Sequence, residues 1–160
     1  PDFKGYFRED FPICIIFFVG YEPSRAIGLL DTYRPNLVVA CYGVSPHPKF
    51  KWRTEFSKKL HDKLRVFKQY GCSYTEVSTF DIPENIAKLE EIYTSADREG
   101  RILYENYNIA ITPQCSKLQT VATYLFCQSH PDTQVVFCLP GMFNPKRYSE
   151  GIGKAWMYEL

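Results

Sequence analysis

The segment Thr112-Pro113-Gln114-Cys115-Ser116-Lys117 holds two hydroxyls, an amide, a thiol and an ammonium within six residues. It stands between an apolar run and an amphipathic one, where a serine caps the helix that follows, so Ser116 is the predicted N-cap. The first turn of a helix has N–H groups without intrahelical partners and carries the positive end of the dipole. With the Lys117 ammonium at the same place, a phosphate-sized anion is the expected ligand. A second candidate is Val19-Gly20-Tyr21-Glu22-Pro23-Ser24-Arg25, where Gly20 permits close backbone approach and Glu22 would meet a ribose hydroxyl. Both have plainer alternatives: Ser116 as a cap with Lys117 in solvent, and Gly20 and Pro23 as turn punctuation. Neither G-x-x-x-x-G-K-[ST] nor G-x-G-x-x-G occurs, so the P-loop and dinucleotide fingerprints are absent.

Other chemistries find less support. His47, His61 and His130 are dispersed, and no metal-ligand spacing or nucleophile triad joins them. His47, between two prolines, is a candidate proton shuttle or an inert loop residue; Cys115 would be a nucleophile only if its helix dipole activated it. The six cysteines form no C-x-x-C pair, and most fall in apolar patterns, so reduced structural thiols in a cytoplasmic protein are expected. Cys72 and Cys115, in turn-like surroundings, stay open. The net charge of +1 gives no support to non-specific duplex DNA or membrane binding, which needs a basic excess.

These residues must be positioned by regular elements, and the 160-residue chain supplies them in alternation. Hydrophobic residues make 45 % and charged residues 23 %, the balance of a globular domain, with 12 Phe, 12 Tyr and 2 Trp to fill its core or an interface. The run Pro12 to Val19 reads as a strand buried on both faces, and at that length it is far short of a membrane span. No secretory leader is recognised, and the chain opens at Pro1, so it is expected to be trimmed or cut from something larger. Helix signals follow at Pro23 to Tyr33, Trp52 to Tyr70, Asp81 to Gly100 and Ser116 to Ser129. Strand signals follow at Leu37 to Tyr42, Ser73 to Phe80, Tyr107 to Thr112 and Thr133 to Leu139, with Lys154 to Leu160 as a sixth candidate. Inward stripes are expected from Ile27, Leu30 and Tyr33; from Phe56, Leu60, Leu64 and Phe67; from Ile86, Leu89, Tyr93 and Ala96; and from Leu118, Val121 and Leu125.

Strands separated by helical crossovers make a parallel sheet covered on both faces. The expected fold is an α/β, three-layer, doubly wound Rossmann-like domain with a mainly parallel sheet of five to six strands. One domain spans residues 1–160, with a core at 12–140 and a C-terminal extension at 141–160. Ligands of such sheets bind at the carboxyl ends of the strands. That selects the loops Gly20–Arg25, Gly43–Lys49, Ser78–Asp81, Thr112–Lys117 and Pro140–Tyr148. There Arg25, Lys49, Lys117, Lys146 and Arg147 outnumber Glu22 and Asp81, so an anion is favoured. The candidate ligand-binding set is Gly20, Glu22, Ser24, Arg25, Ser45, Thr112, Gln114, Ser116, Lys117 and Asn144.

Four passages together resemble the CRISPR-associated Rossmann fold (CARF) family of prokaryotic defence systems. They are Ile16-Phe17-Phe18-Val19-Gly20-Tyr21-Glu22-Pro23 at the first ligand loop, Tyr33-Arg34-Pro35-Asn36-Leu37-Val38-Val39, Thr79-Phe80-Asp81-Ile82-Pro83-Glu84, and Asn108 to Lys117. The last stands where the family has a strand leading into Thr-Gly-Gly-Thr-Lys; here Pro113-Gln114-Cys115 replaces the glycine pair and alters the spacing by one residue. The resemblance implies a homodimer that binds a cyclic oligonucleotide across its two crevices and biases an effector elsewhere, in antiviral signalling. It implies no cofactor. Lys117 and the helix starts would hold phosphates, Glu22 and Ser24 would contact sugar or base, and Tyr42 or Tyr148 would stack. The tail from Phe143 to Gly153 has no counterpart in the family: Asn144, Lys146 and Arg147 would close over the ligand as a lid, or the segment is a turn to the edge strand. Two alternatives stand beside this reading. One is a metal-independent nuclease that cleaves the bound ring through its own 2′-hydroxyl, with Lys117 stabilising the phosphorane. The other is a structural or assembly domain that binds no ligand.

Overall fold

The strand β1 (Ile13–Val19) is apolar at every position because it lies inside the sheet, with a neighbour on each side and helices on both faces. The computed structural model describes residues 5–138 and Met157. After β1 come α1 (Pro23–Tyr33), β2 (Leu37–Val44), a short 3-10 turn (Pro48–Phe50), α2 (Trp52–Lys63) and β3 (Gly71–Ser78). They are followed by α3 (Ile82–Tyr93), α4 (Leu103–Asn106), β4 (Asn108–Pro113), α5 (Lys117–Ser129) and β5 (Gln134–Val135). The sheet order is β3-β2-β1-β4-β5, and every pairing is parallel. This is the expected α/β three-layer, Rossmann-like architecture with five strands; the sixth-strand candidate lies, apart from Met157, outside the described residues.

Alternate residues of β1 feed two cores, as the two-residue period of a strand requires. Cys14, Ile16 and Phe18 pack with Leu89, Ile92 and Phe126 of α3 and α5. Ile15, Phe17 and Val19 pack with Ala26 and Leu30 of α1 and with Phe67. Each large side chain buried in this way contributes about 1.5–3 kcal/mol. All six cysteines are free, and Cys14, Cys41 and Cys127 are buried as small hydrophobes. Among the described residues no helix is long and apolar enough to cross a membrane.

Several helical stripes are rotated or shortened relative to the sequence reading. Helix α2 stops at Lys63 instead of Tyr70, and it turns Thr54, Ser57 and His61 to the sheet while Phe56 and Leu64 stay half exposed. The reason is local: the carbonyls of Gly43 and Gly20 emerge from the sheet beneath it and take hydrogen bonds from Thr54 Oγ1 (2.7 Å) and Ser57 Oγ (3.1 Å). Helix α3 ends at Tyr93, with Ile82, Asn85, Leu89 and Ile92 buried and Ala96 exposed. Beyond it, the Asp97 carboxylate accepts from the Glu99 and Arg101 N–H groups and from the Tyr107 hydroxyl, which organises a loop where helix was expected. In α1 the buried positions are Ala26, Leu29 and Leu30, with Ile27 exposed. In α5 they are Gln119, Ala122, Thr123, Phe126 and Cys127, leaving Leu118, Val121 and Leu125 half-buried.

Candidate functional site

The chain builds outward from β1 to β2 and β3, then returns to place β4 and β5 on the other side of β1. The order therefore reverses between β1 and β4. Helix α1 leaves this point for one face and α5 for the other, as their separate cores show, so their loops diverge and open a crevice. A cleft of about 240 Å³ occupies it. The end of β1, the loops after β2 and β3, and the turn into α5 all contribute walls.

Tight packing makes the floor. A Cβ on Gly20 would lie 2.3 Å from the Gln114 carbonyl oxygen, so only glycine lets the two loops meet. The Gln114 N–H also donates to the Phe18 carbonyl at 3.1 Å. Gly20 is thus a packing glycine beneath the cleft, in place of the expected site of ligand approach. Gly43 is similarly confined, since a Cβ there would meet Thr79 Cγ2 at 2.7 Å and Cys115 Sγ at 2.9 Å. The thiol of Cys115 faces inward over Gly43 although the residue as a whole is exposed, and burial pushes its pKa up to about 11. That is the opposite of nucleophile activation, and the structure gives Cys115 a packing role instead.

Ser116 lines the cleft and caps α5 as expected. Its Oγ accepts from the Gln119 N–H (3.1 Å), and Gln119 Oε1 accepts from the Ser116 N–H (3.0 Å), a complete capping box. The fully buried Gln119 also donates through Nε2 to the Ser78 carbonyl (2.9 Å), which ties the start of α5 to the end of β3. By helix geometry the N–H groups of Lys117 and Leu118 remain without intrahelical partners.

The other sequence candidates are scattered. Ser45 lies in the cleft wall, buried, with its Oγ accepting from the His47 N–H. Glu22 and Arg25 neutralise each other, with Nε–Oε2 at 2.6 Å, and Ser24 is exposed on the first turn of α1. Thr112, expected on the rim, has no exposed surface, because it stands in the β4 interior opposite Phe17. Lys117 is exposed and lies outside the lining of the cleft. The Tyr42 ring is buried and stacked on Tyr74, so it offers no free face to a base. His47 accepts from the Lys49 N–H and caps the 3-10 turn. Asn144, Lys146, Arg147 and Tyr148 lie outside the described residues.

In their place the structure brings in residues that no motif singled out. Arg53, on the first turn of α2, extends into the cleft with its guanidinium carbon 4.4 Å from the Phe50 ring centroid and about 6 Å from those of Trp52 and Tyr21. Burial pushes the Tyr21 phenol up, and the neighbouring Arg53 charge opposes the shift. Phe80 and Tyr21 are half-exposed rings on the cleft wall. Among the described residues no group of His, Cys, Asp and Glu is arranged to hold a metal ion.

No protein-family model matches the chain, and no curated protein matches it in sequence. Among solved structures it is similar to Can2 from Sulfobacillus thermosulfidooxidans in complex with cyclic tetra-adenylate, with a TM-score of 0.52 at 11 % identity. The chain shares that fold. The alignment covers 78 % of this chain and 31 % of the Can2 chain, so this chain spans about a third of that neighbour. The signal that would have found Arg53 is weak: it lies four residues beyond the end of the rim loop at Lys49, inside what reads as a core helix.

Proposed function

We propose that this CARF-like domain is a sensor that binds a nucleotide-derived anionic second messenger of the cyclic-oligonucleotide class, as a dimer, in antiviral defence signalling. The observation that carries the reading is the cleft at the β1/β4 reversal, where a helix start, a guanidinium and two half-exposed rings share one wall system. Phosphates are suited to the first two and bases to the rings. The complex of Can2 with cyclic tetra-adenylate lends support from the same fold. At about 240 Å³ the cleft is smaller than the roughly 300–1,000 Å³ of pockets that enclose a whole drug-sized ligand. It would take one part of a ring, and two copies would share the rest. Signalling to an effector follows from that bridging.

The test is a melting-temperature screen against cyclic oligoadenylates of several ring sizes, with mass spectrometry of the recovered ligand. At a hundredfold excess over Kd, ligand binding adds about 2.7 kcal/mol, which for a chain of this size raises Tm by about 5–10 °C. Intact ligand with a raised Tm is the expected outcome. Linear products would replace the sensor with a nuclease, and an unmoved Tm across the panel would leave an assembly domain.

A further inference from the structure

Ion pairing takes up several cations across the fold and leaves the one in the cleft lining in an unusual setting. Arg25 is paired with Glu22, Lys58 with Glu55 and Glu76, Lys88 with Glu91, and Arg101 with Asp97. Lys117 is exposed and outside the lining. Arg53 lies in the lining, and among the described residues no carboxylate stands at ion-pair distance from it. Its neighbours are the faces of Phe50, Trp52 and Tyr21. A guanidinium over a ring is held by cation–π attraction, and with five N–H donors in a planar fork it bonds the Tyr21 hydroxyl and still has N–H groups left for an acceptor. Those edges match two phosphate oxygens at once, a geometry that an ammonium cannot reproduce.

The backbone beneath Arg53 is anchored to the floor of the same cleft. Its neighbour Thr54 bonds the Gly43 carbonyl, and Ser57, one turn on, bonds the Gly20 carbonyl. His61, on the buried face of α2, approaches the Ser57 carbonyl with Nδ1 at 2.8 Å and stacks on Phe67. The backbone of Arg53 is therefore placed relative to the ends of β1 and β2 by direct bonds, and the three ring contacts hold its side chain over the cleft. Such pre-placement lowers the ordering cost of binding.

We infer that Arg53 is the group in this cleft that grips a phosphate of the ligand, in the place that the sequence assigned to Lys117. This rests on the sensor reading above. Calorimetric titration with cyclic tetra-adenylate compares the wild type with Arg53→Ala, Arg53→Lys and Lys117→Ala. Loss of a charge-assisted bidentate contact weakens binding by about tenfold or more, so Arg53→Ala is expected to fall by at least that factor, while loss of its ring contacts lowers the Tm of the free protein by no more than about 4 °C. Arg53→Lys is expected to recover only part of the loss, and Lys117→Ala to stay within about threefold, as an exposed charge does. Wild-type affinity in Arg53→Ala, or a loss confined to Lys117→Ala, overturns the assignment and leaves the sensor standing. If the wild type does not bind the ring at all, the sensor reading falls, and inorganic pyrophosphate becomes the probe. Under phenylglyoxal labelling read by peptide mass spectrometry, pyrophosphate is then expected to protect Arg53 and not the exposed Arg98. Equal labelling of Arg53 with and without pyrophosphate overturns the assignment in that case.

Discussion

Gly20 shows how a residue invites one explanation from its neighbours in sequence and receives another from its neighbours in space. Between an apolar strand and a helix, a glycine reads as a place where a ligand nears the backbone. Here the Gln114 carbonyl already occupies the space that a Cβ would need, at 2.3 Å. Gly20→Ala is expected to destabilise the domain by about 1–3 kcal/mol, the range for overpacking a close contact. Urea unfolding of the variant reads this directly, and an unchanged midpoint would show that the two loops can separate. Ser116 is the contrasting case. Its cap was legible because the N-cap, its Gln119 partner and the helix are contiguous in sequence, and the geometry found is the one that this spacing produces.

At the level of elements, α2 departs most from its periodic pattern. The apolar positions Phe56, Leu60 and Leu64 define an amphipathic helix, but the face turned to the sheet is Thr54, Ser57 and His61. Two glycine carbonyls left over at the strand ends needed donors, and a buried carbonyl without one costs about 1–3 kcal/mol. That demand outweighs the gain from turning Phe56 inward. Docking through polar groups makes this helix sensitive to pH. Burial holds the His61 imidazole below its ordinary value, with the Ser57 carbonyl and Asp62 opposing the shift. A histidine depressed on folding favours the folded state fully above the unfolded value of about 6.5, and that stability is lost as pH falls through it. Denaturant unfolding from pH 8 to pH 5 is expected to show a decline that His61→Phe, which keeps a ring against Phe67, largely removes. A decline of the same size in the variant would assign it to other groups.

For the whole molecule, the decisive feature is the order β3-β2-β1-β4-β5, which sets the reversal beside β1 and so fixes where four loops converge. The cleft there is too small to enclose a whole cyclic oligonucleotide, and the proposed function therefore has two copies share one ring. Native mass spectrometry with cyclic tetra-adenylate is expected to show one ring per two chains. A complex of one ring with one chain would remove the dimer from the proposed function. The net charge of +1 is consistent with a local anion site in place of a broad basic face.

Alternation of strands and helices, burial of β1 on both faces and the capped start of α5 follow from the sequence by itself, because each depends on residues within a few positions of one another. The stacking of Gly20 on Gln114, the burial of Thr112 and Tyr42, the rotation of α2 and the arrival of Arg53 in the cleft were decided by tertiary structure alone. They depend on strand register and on unpaired carbonyls that exist only once the sheet has formed, so no local periodicity encodes them.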